Sequence, residues 1–318
     1  FTLTITDQGT LENSCVAGGF SYAGTPIGYA ALQTPSATIT ARNNGGVTTQ
    51  NYTGAYNKLS TTDINMPNVT TDGTQLGVDG VNKVGLNWNI GVPSLADNGD
   101  GTLSFTLMGD TFVYSRNVND LVAPFTSDVD LTVQSITDSD GVTGAGLPQA
   151  FSPTGVPVRY GRLAMQNAQG SELLPLNVPL RAEYYDGSAN GFVANVADVC
   201  TQVIGLSLND LDGTDGLDAS TAPSRNTAIY APAAIAGGYS ASDLSDVSLL
   251  FVHPPVGGEF NLNLQPPGQG NTGSADVEVD GPTWLEYNWS GTVDDPSAKA
   301  TFGVFGRPSS LIYQREAY

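Results

Sequence analysis

The chain has 318 residues, of which 11 are Lys or Arg and 31 are Asp or Glu, so its formal net charge is -20. A surface this acidic repels nucleic-acid phosphates and anionic lipid headgroups, which argues against both as binding partners. Charged residues make up 13% of the chain and hydrophobic residues 40%, so charge is scarce but there is enough apolar material for a folded core.

Short runs rich in β-branched and aromatic residues predict strands along the whole chain. In chain order they are TLTIT, ATITA, VGLNWNIGV, TLSFTLMG, FVYSR, VDLTVQSIT, VSLLFVH, EFNLNL, ADVEVD, WLEYNW, ATFGVFG and LIYQREAY. No segment shows the spacing of a long amphipathic helix, and the best helical candidates, APAAIAGGY and SDLSDV, are short. The pattern predicts an all-β chain of two or three antiparallel, Ig-like β-sandwich domains.

Turn residues predict where some of these strands reverse. Asn98-Gly99-Asp100-Gly101 lies between two alternating runs and predicts a hairpin. Asn43-Asn44-Gly45-Gly46 predicts another, with Tyr52 and Tyr56 burying their rings behind it and hydrogen-bonding backbone groups. This segment is therefore interpreted as scaffold, with a recognition loop as the alternative.

The domain boundary is predicted from a change in composition. Gly and Pro become frequent between Asp138 and Gly155, directly after a clear strand pattern. We therefore divide the chain into an N-terminal β-sandwich region, 1–147, and a C-terminal one, 148–318.

The first residues, FTLTITD, predict a half-buried strand. Phe1, Leu3 and Ile5 share one face, and threonines occupy the other. Such a strand must pair with another one. It pairs either within its own domain or by insertion into a neighbouring subunit, which would make the protein a polymer. LIYQREAY at the other end has a similar pattern.

Two cysteines, Cys15 and Cys200, are present in a chain whose composition is typical of exported proteins. We predict a disulfide that ties the first strands to the second domain, with two free buried thiols as the alternative. The chain has no signal peptide and no apolar run of about 18 residues, so no membrane-inserted segment is expected. It starts directly in an alternating strand pattern, FTLTITDQG, and we interpret it as a mature or trimmed fragment of a longer protein.

Clustered acids raise the question of calcium. The segment LNDLDGTDGLDAS carries four oxygen-bearing side chains on a glycine-containing loop, Asp210, Asp212, Asp215 and Asp218. Calcium prefers such ligands, although the spacing is not that of an EF-hand and a solvated loop is the alternative. Asp138 and Asp140, at the predicted boundary, leave the same two interpretations open. No other cofactor is indicated.

Catalytic patterns are weak. His253 is the single histidine and follows an apolar run, as a residue at a strand end does. Nucleotide-binding glycine loops, the G-x-S-x-G elbow and H-E-x-x-H do not occur in the sequence. Hydrolysis by a carboxylate pair stays open as the remaining enzymatic alternative.

Two further groups of side chains have both structural and binding interpretations. Arg159, Arg162 and Arg181 lie near Glu172 and Glu183 in sequence, and we predict that Arg162 faces Glu172 across a hairpin built on residues 167–170. An arginine that binds a ligand is the alternative. In TWLEYNW, Trp284, Tyr287 and Trp289 could stack on a sugar. On a regular strand, however, the two tryptophans face opposite sides, so core packing of at least one is favoured.

Six ordered blocks, spread over nearly the whole chain, resemble a known family. They are Phe20-Ser21-Tyr22, TARN–GGVTTQNYTG, FVYSR–VAPF–DVDLTV–DSDGV, VRYGRLAMQNAQGSELLPLNVPLRAEYYDG, DVCT, and WLEYNWSG–DDPSAKATFGVFG–LIYQREAY. The chain resembles the C-terminal all-β domain of the MSHA (mannose-sensitive haemagglutinin) pilus biogenesis protein Q family of Gram-negative bacteria. The resemblance implies a large exported protein linked to a type IV pilus and carries no established chemistry.

Together these patterns favour a non-enzymatic, extracellular module of a pilus-associated or adhesin-like surface protein. Its expected partners are pilus or other cell-surface proteins, with glycans as further candidates. A subunit of an extracellular filament assembled by strand exchange is the first alternative, and a glycan-acting enzyme is the second.

Overall fold

A computed structural model of the chain describes residues 1–67, 69–70, 85–117, 121–188, 191–203, 205–210, 229–230, 255–264, 266–269, 272–289 and 291–303. Its regular elements are strands and three short 3-10 turns. The strands are β1 Thr2–Asp7, β2 Leu11–Glu12, β3 Ser21–Tyr22, β4 Gly28–Tyr29, β5 Ser36–Thr40, β6 Ile64–Asn65, β7 Val69–Thr70, β8 Leu86–Asn89, β9 Ser94–Asp97, β10 Thr102–Thr106, β11 Thr111–Tyr114, β12 Phe125–Thr126, β13 Asp130–Val133, β14 Ser135–Ile136, β15 Gln149–Phe151, β16 Pro157–Arg159, β17 Gly161–Met165, β18 Ala168–Gly170, β19 Leu176–Asn177, β20 Leu180–Tyr185, β21 Phe192–Ala194, β22 Gly205–Asp210, β23 Ile229–Tyr230, β24 Glu259–Phe260, β25 Asn263–Leu264, β26 Gly273–Asp280, β27 Tyr287–Asn288, β28 Val293–Asp294 and β29 Ser297–Phe302. The 3-10 turns are Gly54–Tyr56, Thr61–Asp63 and Thr283–Leu285.

The predicted all-β class with antiparallel sheets is confirmed. Most strand pairs run antiparallel, and two described pairs, β3 with β16 and β18 with β29, run parallel. The predicted strands VSLLFVH and LIYQREAY, and both helical candidates, lie outside the described residues.

Contacts divide the chain into two compact units. The first comprises Phe1–Arg162 with Glu183–Cys200, and the second comprises Leu163–Ala182 with Thr201–Tyr318. The chain thus leaves the first unit, returns to it and leaves again. The boundary predicted after residue 147 stays a prediction about independently folding domains.

The first unit is built as a β-sandwich. One sheet has the order β1-β5-β10-β9 and another the order β15-β13-β7. Apolar side chains from both sheets belong to one buried cluster, and the rings of Phe105 on β10 and Phe151 on β15 have centroids 6.3 Å apart. Threonines alternate with these apolar residues along β1, β5 and β10, so each strand has one buried face and one more solvent-exposed face.

Strand β1 pairs within its own unit. Leu3 lies opposite Ile39 of β5 in an antiparallel register, and both side chains are buried. Of the two predicted arrangements for this strand, the structure therefore contains self-pairing.

The second unit contains a four-stranded sheet of order β18-β29-β26-β22 and a three-stranded sheet of order β19-β25-β23. In β26, the side chains of Ala275, Val277 and Val279 are fully buried and alternate with polar ones, the pattern expected of a strand with one face in a core. β27 and β28 form a separate hairpin.

Both predicted turns are present, and backbone conformation explains their composition. Asn98–Gly101 joins β9 to β10, with Leu103 opposite Asp97. In the other turn, the Asn43 carboxamide oxygen accepts hydrogen bonds from the amides of Gly45 and Val47, and Arg42 pairs with Thr48 in an antiparallel bridge.

Glycines in the first of these turns allow a matched test. Gly99 and Gly101 both have φ near +80°, a region that costs other residues about 1–2 kcal/mol. A Cβ at Gly101 would also lie 2.3 Å from the Thr49 carbonyl oxygen, whereas one at Gly99 would meet open space. We expect Gly101→Ala to lower the free energy of unfolding by about 1–3 kcal/mol more than Gly99→Ala, measured by urea unfolding. Equal losses would contradict the close packing of this turn against Thr49.

Candidate functional site

A disulfide lies beside a buried polar cluster in the first unit. Cys15 and Cys200 are joined by an S–S bond of 2.02 Å, with Cα atoms 5.6 Å apart and 185 residues between them. Closing a loop of this length stabilises the folded chain by about 5 kcal/mol in the chain-entropy model. Both cysteines belong to the first unit. By its contacts the bond lies within the first unit, because the chain returns to that unit between Glu183 and Cys200. The expectation that it ties the first strands to a second domain stays a prediction about domains.

A buried tyrosine connects β3 to the segment that carries Cys200. The Tyr22 hydroxyl donates to Asp198 Oδ2 at 2.8 Å and accepts from Asn195 Nδ2 at 2.6 Å. Asp198 Oδ1 also accepts from the backbone amide of Cys200 at 3.0 Å, which fixes the approach of the cysteine. Burial, reinforced by the charge of Asp198, raises the pKa of Tyr22 well above its usual value, so the phenol stays a proton donor.

Arg159 fills the space beside this tyrosine. Its guanidinium lies 4.7 Å from the ring centroid of Phe20 and 4.8 Å from that of Tyr184, and it donates to the Asn195 side-chain oxygen. Such stacking holds a cation by its attraction to the ring faces and leaves the guanidinium edge for hydrogen bonds. Arg159 is thus part of the scaffold.

Arg162 pairs with a different acid from the predicted one. Its Nε and Nη2 lie 2.8 Å and 2.7 Å from Oε2 of Glu183, which is buried, and its guanidinium stacks on the Phe192 ring. The expected pairing with Glu172 is wrong. After the turn at residues 166–167, β18 pairs with β29 and not with β17. Glu172 therefore does not lie opposite Arg162. The predicted structural role of the arginine holds with this change of partner.

Asp110 is a further buried carboxylate of the first unit. Asp110 is 4% exposed, and its Oδ1 accepts from Trp88 Nε1 at 2.8 Å and from the Gly91 amide at 3.0 Å. Its Oδ2 accepts from the Tyr29 hydroxyl at 3.2 Å. Burial and the Asp110 charge raise the pKa of Tyr29. The only sequence signal for this site was an acid between the apolar runs of β10 and β11.

A cavity of about 160 Å³ adjoins Asp110. It is lined by Thr61, Ile64, Met66, Trp88, Ile90, Pro93, Phe105, Leu107 and Asp110. Its walls are therefore mainly apolar, with one carboxylate-bearing residue among them.

Asp138 forms a tight turn. Its Oδ1 accepts from the amides of Asp140 and Val142, at 3.1 Å and 2.9 Å, and its Oδ2 accepts from the Tyr52 hydroxyl at 3.0 Å. These bonds occupy both oxygens of the carboxylate. Calcium binding by Asp138 and Asp140 stays a prediction, which the turn geometry does not require.

The two tyrosines predicted to anchor the Asn43–Gly46 region differ from each other. Tyr52 packs edge-on against Phe1, with ring centroids 5.3 Å apart, and its hydroxyl accepts from the Lys58 amide as predicted for a backbone contact. Tyr56 is 72% exposed, so the predicted burial of its ring is wrong. It ends the exposed 3-10 turn Gly54–Tyr56, which carries the side chain away from the core.

The predicted calcium loop is largely outside the described residues. Asp210 ends β22, but only its backbone is described, and Asp212, Asp215 and Asp218 are not described at all. His253 is also outside. Calcium binding by the four aspartates therefore stays a prediction. Within the ranges that are described, no group of three His, Cys, Asp or Glu side chains is arranged to hold a metal ion.

Carboxylates gather in a cleft of the second unit. The cleft has a volume of about 430 Å³ and is lined by Gly205, Leu206, Ser207, Glu278, Asp280 and Asp295. Burial, reinforced by the nearby charges of Asp280, Glu286 and Asp294, raises the pKa of Asp295. Nothing in the sequence predicts a perturbed acid here, because β22 and β26, which line the cleft, are distant in sequence.

The aromatic triplet near residue 287 is not one strand. Trp284 lies in the 3-10 turn Thr283–Leu285, so the premise that Trp284 and Trp289 alternate along a strand is wrong. Tyr287 and Trp289 contact each other edge to face, with centroids 5.4 Å apart, and Trp289 is exposed.

Taken together, the fold and these sites define a disulfide-bonded, all-β, two-unit protein segment. Sequence comparison then gives the family: the chain belongs to the DUF6701 family, with residues 1–156 matching its third domain and residues 159–317 matching its fourth. The resemblance to the MSHA pilus biogenesis protein Q family stays a prediction. No curated protein matches the chain in sequence.

The solved structures to which the chain is similar include the D00-D0 domain of Intimin. The match covers 76% of this chain and 99% of that one, at 10% identity and a TM-score of 0.22. So low a TM-score carries no argument about fold or function.

Removing the Tyr22 hydroxyl should lower the free energy of unfolding, and a variant of an exposed tyrosine provides the matched control. Tyr22→Phe removes one hydroxyl and leaves buried atoms of Asn195 and Asp198 each short of a partner, which typically costs about 1–3 kcal/mol. Tyr56→Phe removes the same atom from an exposed ring and serves as the control. We expect urea unfolding to show a loss only for Tyr22→Phe; equal stabilities of the two variants would refute this role.

Tyr52 predicts a loss of stability at alkaline pH. Burial, with a smaller effect from Asp138, raises its pKa to about 12, whereas a tyrosine in the unfolded chain ionises near pH ~10. Its contribution is thus complete below pH ~10 and is lost as the pH rises toward 12, because only the unfolded chain releases the proton. We expect the stability difference between wild type and Tyr52→Phe to shrink between pH 9 and pH 12. A difference that does not vary with pH over this range would contradict the assignment.

Proposed function

We propose that this chain is part of a non-enzymatic β-sandwich module of an exported, cell-surface protein, whose partners are other surface or pilus proteins. The observation that carries the proposal is the Cys15–Cys200 disulfide, which lies beside a buried polar cluster. Disulfides that connect distant parts of a structure persist in oxidising compartments and are rare in the cytosol.

The use of the buried polar groups supports a structural role. In the part of the first unit that is described, the buried acids are Asp110, Asp138, Glu183 and Asp198. Each accepts hydrogen bonds that hold strands or turns together. Carboxylates whose oxygens already accept these structural hydrogen bonds are poorly placed to transfer protons to a substrate. An acidic surface with few cations also suits a protein that stays soluble outside the cell.

The family assignment supports a segment of a longer, multidomain protein. Residues 1–156 and 159–317 match consecutive, numbered domains, as expected for a segment of a multidomain protein. Among the residues that the structure describes, no helix is long and apolar enough to cross a membrane.

The alternatives have less support. Strand exchange through β1 would require this strand to leave β5, with which it already forms five register pairs. A glycan-acting enzyme would depend on the cleft around Asp280 and Asp295, where the raised pKa of Asp295 alone does not define a reaction. Glycans stay candidate partners through the exposed ring of Trp289.

Location and redox state can be measured together in the source cells. Antibody against the chain should label intact cells, and alkylation of acid-quenched, denatured protein without reductant should modify no cysteine. A cytosolic protein serves as the control for leakage. Labelling that requires permeabilised cells, together with two alkylated cysteines, would refute the proposal.

A further inference from the structure

The cavity beside Asp110 combines an apolar wall with a buried negative charge. We propose that it binds the side chain of an arginine presented by a basic segment of a partner protein. This inference concerns recognition and does not depend on where the protein is located.

The size of the cavity favours a single side chain. Its volume of about 160 Å³ is well below the ~300–1,000 Å³ of sites that enclose drug-sized ligands. It equals roughly five times the ~30 Å³ that one water molecule occupies in the liquid. A long, unbranched side chain entering from outside can fill such a space, whereas a whole metabolite or sugar unit with its hydration cannot.

Charge favours a cation. Asp110 is bound by the Trp88 indole, the Gly91 amide and the Tyr29 hydroxyl, all of which are neutral donors. Among the described residues, no Lys, Arg or His nitrogen lies within 4.0 Å of its carboxylate. A carboxylate can accept about four hydrogen bonds, and the described residues supply no cation to balance its charge. A guanidinium therefore gains both a hydrogen bond and a charge partner there.

The walls suit the rest of an arginine. Trp88 lines the cavity, and indole is the side chain to which cations are most strongly attracted. Ile64, Met66 and Leu107 offer apolar surface to the methylene stem, which arginine commonly buries while its charged end meets polar atoms.

Exposed apolar residues in or next in sequence to the cavity lining, here called the rim, favour a protein as the source of the arginine. Ile90, Val92 and Met108 are 68%, 82% and 44% exposed. Ile90 lines the cavity, and Val92 and Met108 lie next in sequence to the lining residues Pro93 and Leu107. A free small cation would leave this apolar surface in water, whereas the residues flanking an arginine in a polypeptide could cover it.

The rim is held in place by the backbone. A Cβ added to Gly91 would lie 1.9 Å from the Met108 carbonyl oxygen, so the segment containing Ile90 and Val92 approaches the one containing Met108 as closely as glycine allows. The Gly91 amide also donates to Asp110. The cavity mouth and its carboxylate therefore belong to one fixed arrangement, which lowers the entropic cost of binding.

Long-range electrostatics add to the selection of a basic partner. With a net charge of -20, the chain attracts positively charged segments and repels acidic ones before contact.

The test is calorimetric titration of the purified chain with two peptides, acetyl-Gly-Leu-Arg-Leu-Gly-amide and its citrulline analogue. Citrulline keeps the shape of arginine and lacks its charge. We expect the arginine peptide to bind at least tenfold more tightly, and one of the tryptophan indole N–H resonances, that of Trp88, to shift on binding. Equal affinities for the two peptides, or no saturable binding, would overturn the proposal.

Variants separate the charge from the rim. Asp110→Asn should abolish the preference for arginine over citrulline. The double variant Ile90→Ser/Val92→Ser changes two exposed side chains and should leave the fold intact. It should lower the affinity for both peptides at least fivefold while the preference for arginine stays. Val47→Ser, an exposed valine elsewhere in the unit, is the matched control and should change neither. If the double variant binds as wild type does, or if N-methylguanidinium binds as tightly as the arginine peptide, a protein segment is not the ligand.

Discussion

Hydrogen bonds to buried carboxylates determine how the first unit is held together. The bonds from Tyr22 to Asp198, from Tyr52 to Asp138 and from Tyr29 to Asp110 join residues that are 176, 86 and 81 positions apart. A carboxylate taken out of water costs several kcal/mol unless such donors are present. Each acid therefore fixes the partner strand or turn that satisfies it, and the disulfide next to Asp198 adds a covalent restraint to one of these contacts.

The composition explains the kind of donor that is used. The chain has 11 Lys and Arg for 31 Asp and Glu, so most acids cannot be paired with a cation. Phenols, an indole and backbone amides act as the hydrogen-bond donors to these acids instead. The guanidinium of Arg159 contacts two aromatic rings, Phe20 and Tyr184, at once. Neutral donors stabilise a carboxylate without cancelling its charge, which is why Asp110 keeps an electrostatic attraction for a cation from outside.

The strands could be predicted from the alternation of apolar and polar residues and from the turn residues. The polar contacts between distant residues could not. Alternation along β1, β5, β10 and β26 appears in the burial of these strands, and the Asn98–Gly101 hairpin follows from backbone conformation alone. The partner of Arg162 and the exposure of Tyr56 depend on the path of the chain after a turn, which local sequence does not specify. Asp110 and Asp198 were missed because a buried acid differs from a solvated one only in what surrounds it.

The return of residues 183–200 to the first unit has a consequence for synthesis. At about 5–20 residues per second, Cys200 emerges roughly 10–40 s after Cys15. Throughout that interval the early strands lack Asn195, Asp198 and their sulfur partner, and the thiol of Cys15 has no native cysteine to join. The nascent first unit therefore stays incomplete until part of the second unit has also been synthesised.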